Sequence, residues 1–348
     1  MRHLIPACQA LALLWLAAGA NAQESKQEFK IKEVANVAAL PISQLAPGTI
    51  AFADHKADPL AQPETGLLKF EDWDRTRPLE KELLSLWPSY VEPTQTVTVS
   101  GVKRQVKRKL HVYVAEARFL VPKPPGALRL ADYAATSFIE RVDPAIKHRV
   151  IAASDVIPNK DQDAAFSRRP DRRWCEPPDR VVCIESRYDL EGKLPTGIRL
   201  ANKLEEGGKK IAEFLEFQSE LKALAPQEID AASLKKLTGL DTAIAGALEQ
   251  STFHVNQIMS FGKLLAVFQA HPTDAGKTVV TAYMVLGIKS DVLEKKKEYA
   301  NVPVLRNLLP AQVLAGNSSF NTGTSISAGV PKYVRYQVLA IARLMGKG

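Results

Sequence analysis

Thr278-Val-Val-Thr-Ala-Tyr-Met-Val-Leu-Gly-Ile288 is apolar on both parities. Val279, Tyr283 and Val285 occupy one, and Val280, Met284, Leu286 and Ile288 the other. A strand with one wet face alternates apolar and polar residues. A strand apolar on both faces is covered on both and lies inside a sheet. Upstream, Phe253, Val255, Met259 and Phe261 alternate with His254, Asn256 and Ser260, and the spacing predicts a strand running to about Gln269. Thr273-Asp274-Ala275-Gly276 turns it back into the first stretch, which makes an antiparallel pair.

Helical periodicity flanks this pair. Lys209 to Leu224 places Ile211, Phe214, Leu215, Leu221 and Leu224 on one side, and Pro226 ends it, which predicts an amphipathic helix. Ala231 to Gln250 reads as helix with a break near Gly239, and Asp291 to Tyr299 as a further helix. Asn317 to Gly329 is rich in Ser, Thr, Asn and Gly and reads as loop. Pro331 then suits the first residue of a last helix, with Val334, Val338, Ile341 and Met345 as its stripe and Gly346 at its end.

The first half of the chain is richer in strand signals. Pro47-Gly48 marks a turn, and residues 54–66 read as loop. Thr96, Thr98 and Ser100 alternate with Val97 and Val99, and Ser100-Gly101 turns the chain. The return strand, up to Val121, sets Val102, Val106, Leu110, Val112 and Val114 against Lys103, Lys107, Lys109 and His111. Period two again means a half-buried strand. Leu79 to Leu86 and Ala131 to Val142 read as helices, and His148 to Ile157 and Val181 to Leu190 as strands. Residues 158–180 are the most irregular stretch, with four prolines and a run of arginines.

The fold class expected is therefore α+β, with antiparallel sheets packed against helices. The element order of the C-terminal part suits a curved sheet around a long C-terminal helix, enclosing an apolar cavity as small lipid-binding domains do. An ordinary core accounts for the same residues. The organisation expected is a signal peptide over 1–22, a β-rich region over 23–200 and an α+β region over 201–348.

The leader reading rests on Arg2 and His3, an apolar run from Ala10 to Ala20, and Ala20-Asn21-Ala22 ahead of Gln23. That is the layout of a secretory signal cut after Ala22. The run is shorter than the roughly 20 residues needed to span a bilayer, so no membrane-spanning segment is expected in the 326 residues that follow of the 348. A periplasmic or secreted location follows. The leader carries Arg2 and no acidic residue, so its removal lowers the formal net charge from +8 to +7. The chain is 46% apolar and 24% charged, the balance of an ordinary globular protein.

Outside the leader only Cys175 and Cys183 remain, with seven residues between them. In an oxidising compartment two such thiols are expected to pair, contributing at most about 2–3 kcal/mol for so short a loop. The spacing is not Cys-x-x-Cys, and no His lies near enough to complete a metal site.

Motifs that specify a reaction are missing. Ser260-x-x-Lys263 and Ser233-x-x-Lys236 match S-x-x-K without its companion elements. Gly323-Thr-Ser-Ile-Ser327 lacks the last glycine of a nucleophile elbow. His55, His111, His148, His254 and His271 are scattered, Asp54-His55 with Asp58 reads as a solvated loop, and no glycine-rich phosphate motif occurs. No metal and no cofactor are expected.

Two basic runs carry the functional expectation: Lys103, Lys107 and Lys109 with their neighbours, and Arg168, Arg169, Arg172 and Arg173 leading to Arg180. Cations in such runs favour an anionic lipid or envelope polymer; solvation of a strand edge is their plainer use. Few aromatics accompany them, so nucleic acid is not expected. The reading is an exported, non-enzymatic envelope protein that binds a lipid or another hydrophobic or anionic ligand. The alternatives are an envelope hydrolase, in which His254, His271 or His55 meets a carboxylate or a Ser, and an interaction protein of an envelope complex.

Overall fold

The computed structural model describes residues 28–54, 68–69, 94–107, 110–157, 174–189, 214–256, 259–289 and 326–347. The leader, the segments at 79–86 and 291–299 and most of residues 54–66 and 158–180 lie outside them. In chain order the described strands are β1 (Lys30–Glu33), β2 (Thr49–Asp54), β3 (Leu68–Lys69), β4 (Thr94–Val99), β5 (Val102–Lys107) and β6 (Leu110–Val121). They continue as β7 (Lys147–Val150), β8 (Val182–Asp189), β9 (Phe214–Leu224), β10 (Ile244–Val255), β11 (Met259–Ala270) and β12 (Thr278–Lys289). The described helices are α1 (Leu130–Tyr133), α2 (Thr136–Val142), α3 (Ala231–Thr238) and α4 (Ile326–Gly346).

Ten strands form one sheet in the order β1-β2-β6-β12-β11-β10-β9-β8-β7, with β3 also on β6. Every pairing is antiparallel except β1 with β2. The sheet stays open, and β4 and β5 pair apart from it as a two-stranded ribbon. This is the mixed, mostly antiparallel α+β architecture that the sequence predicts. Strand β12 lies between β6 and β11, with Val279, Val280, Thr281, Tyr283 and Val285 all buried. Its apolar residues on both parities have the cause inferred for them: each face is covered.

One face packs on α4. Ile50 and Phe52 of β2, Tyr113 to Val121 on the odd positions of β6, Phe268 of β11 and Val280 of β12 meet Val334, Val338, Ala342 and Met345. Ile341, the fourth residue of the predicted stripe, packs at the edge of this core. Helices α1 and α2 close the same face through Leu130, Phe138 and Val142. Arg335 ties α4 to the sheet: its guanidinium donates to Asp54 at 3.1 Å and Glu33 at 2.9 Å, and lies over the Phe52 ring.

Several expectations are corrected. Phe214–Leu224 is a strand, not the end of a helix. Its leucines satisfy a helical period, but β8 and β10 on either side supply backbone partners, and tertiary pairing overrides a propensity of tenths of a kcal/mol. The helix over 231–250 stops at Thr238, where Gly239 takes a left-handed cap at φ +68°. Residues 244–250 then form the start of β10. The long strand from Phe253 is two strands, β10 ending at Val255 and β11 starting at Met259. Asn256 marks the break; its amide donates to Phe214 O and accepts from Glu216 N. Ala131 to Val142 divides into α1 and α2, and the strand from His148 ends at Val150 before a 3-10 turn at Ala153–Asp155. Helix α4 begins at Ile326, so Pro331 sits inside it rather than first.

Gly246, inside the stretch with helical periodicity, is a bulge. Its φ is +143°, and a Cβ there would lie 2.6 Å from the Leu224 carbonyl oxygen and from Leu130 Cδ1. Gly246→Ala combines a conformation that L residues avoid with a backbone clash. It should cost at least about 1–3 kcal/mol, read as a fall in the urea midpoint.

Candidate functional site

The β4–β5 ribbon is built from the predicted alternation. Ser100 at φ 50° and Gly101 at φ 79° form the tight turn. Thr98 pairs with Lys103, Val97 with Arg104, and Val99 with Val102. Ser100, Gly101, Val102, Lys103 and Arg104 are all exposed, Val102 to 55%. Lys107 lies at the base of β5, opposite Thr94. Lys109, Arg168, Arg169, Arg172 and Arg173 fall outside the described residues. Arg180 is described, and it pairs with Glu228 at 2.7 Å beside Lys222. The structure thus assigns that arginine to a contact between the cysteine loop and the turn after β9.

The sheet face opposite α4 holds a second constellation that sequence reasoning missed. Cross-strand register lines up Lys263, Ser251, Glu220 and Cys183 in one row over β11, β10, β9 and β8. The next row runs Glu116, Tyr283, Leu265 and Glu249, and the next Arg118, Thr281 and Val267. Glu116, Arg118, Glu220, Glu249, Ser251, Lys263 and Tyr283 are all buried. Charged side chains are rarely buried unless paired.

Partners are visible. Lys263 Nζ donates to Ser251 Oγ at 2.8 Å, and Ser251 Oγ donates to Glu249 Oε1 at 3.3 Å. Trp174 stacks on Phe253 at 4.7 Å, with the Lys263 ammonium 5.6 Å from its ring. Cys175 N donates to Glu220 Oε2 at 2.9 Å. The sulfurs of Cys175 and Cys183 stand at disulfide distance, with their Cα atoms 5.5 Å apart, so the expected pair packs on this row. Arg118 donates to Thr281 Oγ1 at 3.0 Å and to the Thr238 carbonyl, and Tyr283 OH donates to Leu237 O at 3.0 Å. Both carbonyls belong to the last turn of α3, where a cation is favoured. Burial lowers the Arg118 pKa and raises that of Tyr283, which keeps the phenol protonated as a donor.

The sequence carries a signal for these residues. Arg118 stands between Ala117 and Phe119, and Lys263 between Gly262 and Leu264. A lone charge inside an apolar strand marks either a wet face or a buried network, and pairing decides which. Ser260-x-x-Lys263 named the right lysine with the wrong serine, because its bonded serine lies across the sheet on β10.

Of the histidines named for the hydrolase alternative, His271 has a structural role in view. His271 Nδ1 accepts from the Thr273 and Asp274 amides and caps a turn. His55 lies outside the described residues, and His254 is half-buried on β10. His148 meets a serine instead, with Nδ1 2.8 Å from Ser186 Oγ. Desolvation lowers its pKa below the usual imidazole value, against the pull of Glu140 and Asp143. Among the described residues no group of three or more His, Cys, Asp or Glu side chains could hold a metal ion. No described helix is long and apolar enough to cross a membrane.

Neither a protein-family model nor a curated protein matches the chain. Among solved structures that align with it, the crystal structure of Ara h 8.0201 covers 68% of this chain and 99% of its own. Sequence identity is 12% and the TM-score 0.28.

Proposed function

We propose that this is an exported, non-enzymatic protein of the cell envelope that binds an anionic component, a lipid or an envelope polymer, through the β4–β5 ribbon. One observation carries the reading: Lys103 and Arg104 are exposed on a ribbon that stands apart from the ten-stranded sheet. Cations laid out this way attract an anionic surface by about 1 kcal/mol each. The positive formal charge of the whole chain adds long-range attraction of the same sign. The Lys263–Ser251 pair belongs to a packed network, since both members are buried and the Lys263 ammonium lies over the Trp174 ring.

Binding is tested with phosphatidylglycerol vesicles and with soluble polyphosphate at two salt concentrations. Association should weaken as salt rises, because exposed charges are screened. The double variant Lys103→Glu/Arg104→Glu should lose about tenfold or more in affinity for whichever anion binds. Salt-independent binding, or a double variant that binds as the parent does, would remove the ribbon from this role.

A further inference from the structure

We infer that the tip of the β4–β5 ribbon enters the head-group layer of an anionic bilayer, with Val102 as an apolar wedge and Lys103 and Arg104 as its phosphate contacts. This rests on the ribbon being the binding element and names a lipid surface, rather than a soluble polymer, as its partner. A single exposed valine is ordinary on a protein surface. Here it sits at the outer end of a two-residue turn, opposite Val99 in register, with a run of five exposed residues around it. Successive strand residues point to opposite faces. Lys103 and Arg104 therefore place one cation on each side of the ribbon, just behind the valine.

The spacing suits an interface. From Val102 to Arg104 the chain advances about 7 Å at the usual strand rise. Apolar groups of interfacial elements sink roughly 5–10 Å into the boundary between head groups and acyl chains. With Val102 at that depth, both cations lie at the phosphates. Soluble polyanions can satisfy Lys103 and Arg104 but offer Val102 no apolar medium, so the exposed valine favours the bilayer. The Ser100-Gly101 turn adds only a small hydroxyl and no charge at the leading edge.

The test compares Val102→Ser and Val102→Leu with the parent for binding to phosphatidylglycerol vesicles, phosphatidylcholine vesicles and soluble polyphosphate. Position 102 is an exposed tip, and matching circular dichroism and thermal midpoints would establish that both variants are folded. Val102→Ser should lower affinity for phosphatidylglycerol vesicles about fivefold and leave polyphosphate binding within about twofold, since it removes apolar surface without adding charge; Val102→Leu should bind the vesicles at least as well as the parent. Equal losses on both anions, or no loss on vesicles, would overturn tip insertion while leaving the basic ribbon as a charge-only site. Binding to polyphosphate with none to vesicles would make the partner a polymer and also overturn it. Absence of binding to either anion would fail the proposed function itself.

Discussion

Lys263→Met should lower the stability of the fold by about 3–5 kcal/mol. Lys263 is 2% exposed, and its ammonium bonds to Ser251 and lies over the Trp174 ring. Methionine matches its length and apolar stem, so the change removes charge rather than volume. What remains is Glu220 and Glu249 in adjacent rows of the same face, both at least 94% buried, and one cation fewer. A buried charge deprived of its counter-charge is costly, whereas replacing both charges by neutral groups of similar shape is often nearly neutral. The companion variant Lys263→Met/Glu249→Gln should therefore recover at least about 1 kcal/mol of the loss. Urea unfolding of the parent, both single variants and the double variant reads this coupling directly. If Lys263→Met unfolds within about 0.5 kcal/mol of the parent, the network contributes nothing of note to stability.

Phe268→Ala should be comparably damaging, by about 3–5 kcal/mol, for the opposite reason. Phe268 is fully buried on the α4 face, stacked nearly parallel to Tyr133 at 6.3 Å and opposite Val280 in register. No polar group is orphaned by its loss. The cost is lost apolar contact plus the cavity left where sheet and helices cannot collapse around it. Leu130 and Tyr133 would be the first to sag inward, so the Gly246 bulge beneath Leu130 should loosen with them. Amide exchange would show this as faster exchange in β10 and α1 than elsewhere. Phe268→Leu, which refills most of the space, should restore more than half of the stability.

The two substitutions probe the two faces of one sheet, and those faces were not equally legible. Apolar residues on both parities of Thr278–Ile288 placed β12 in the sheet interior before any partner was known. The stripe of α4 and the Ser100-Gly101 turn were readable in the same way, since each depends on residues within a few positions of one another. The pairing of Cys175 with Cys183 was also open to inference, because two thiols admit only one partner choice.

Other features depend on chain segments that meet only in three dimensions. Phe214–Leu224 satisfies helical and strand periods alike, and the neighbouring β8 and β10 decide for the strand. Lys263 and Ser251 are twelve positions apart, Glu220 is far from both, and Trp174 comes from another region altogether. Register alone brings the first three into one row, and the loop before β8 sets Trp174 against the lysine. Periodicity is a property of consecutive residues and survives translation from sequence to fold. A polar network depends on which strands lie side by side, and that adjacency was chosen by the burial of the whole sheet.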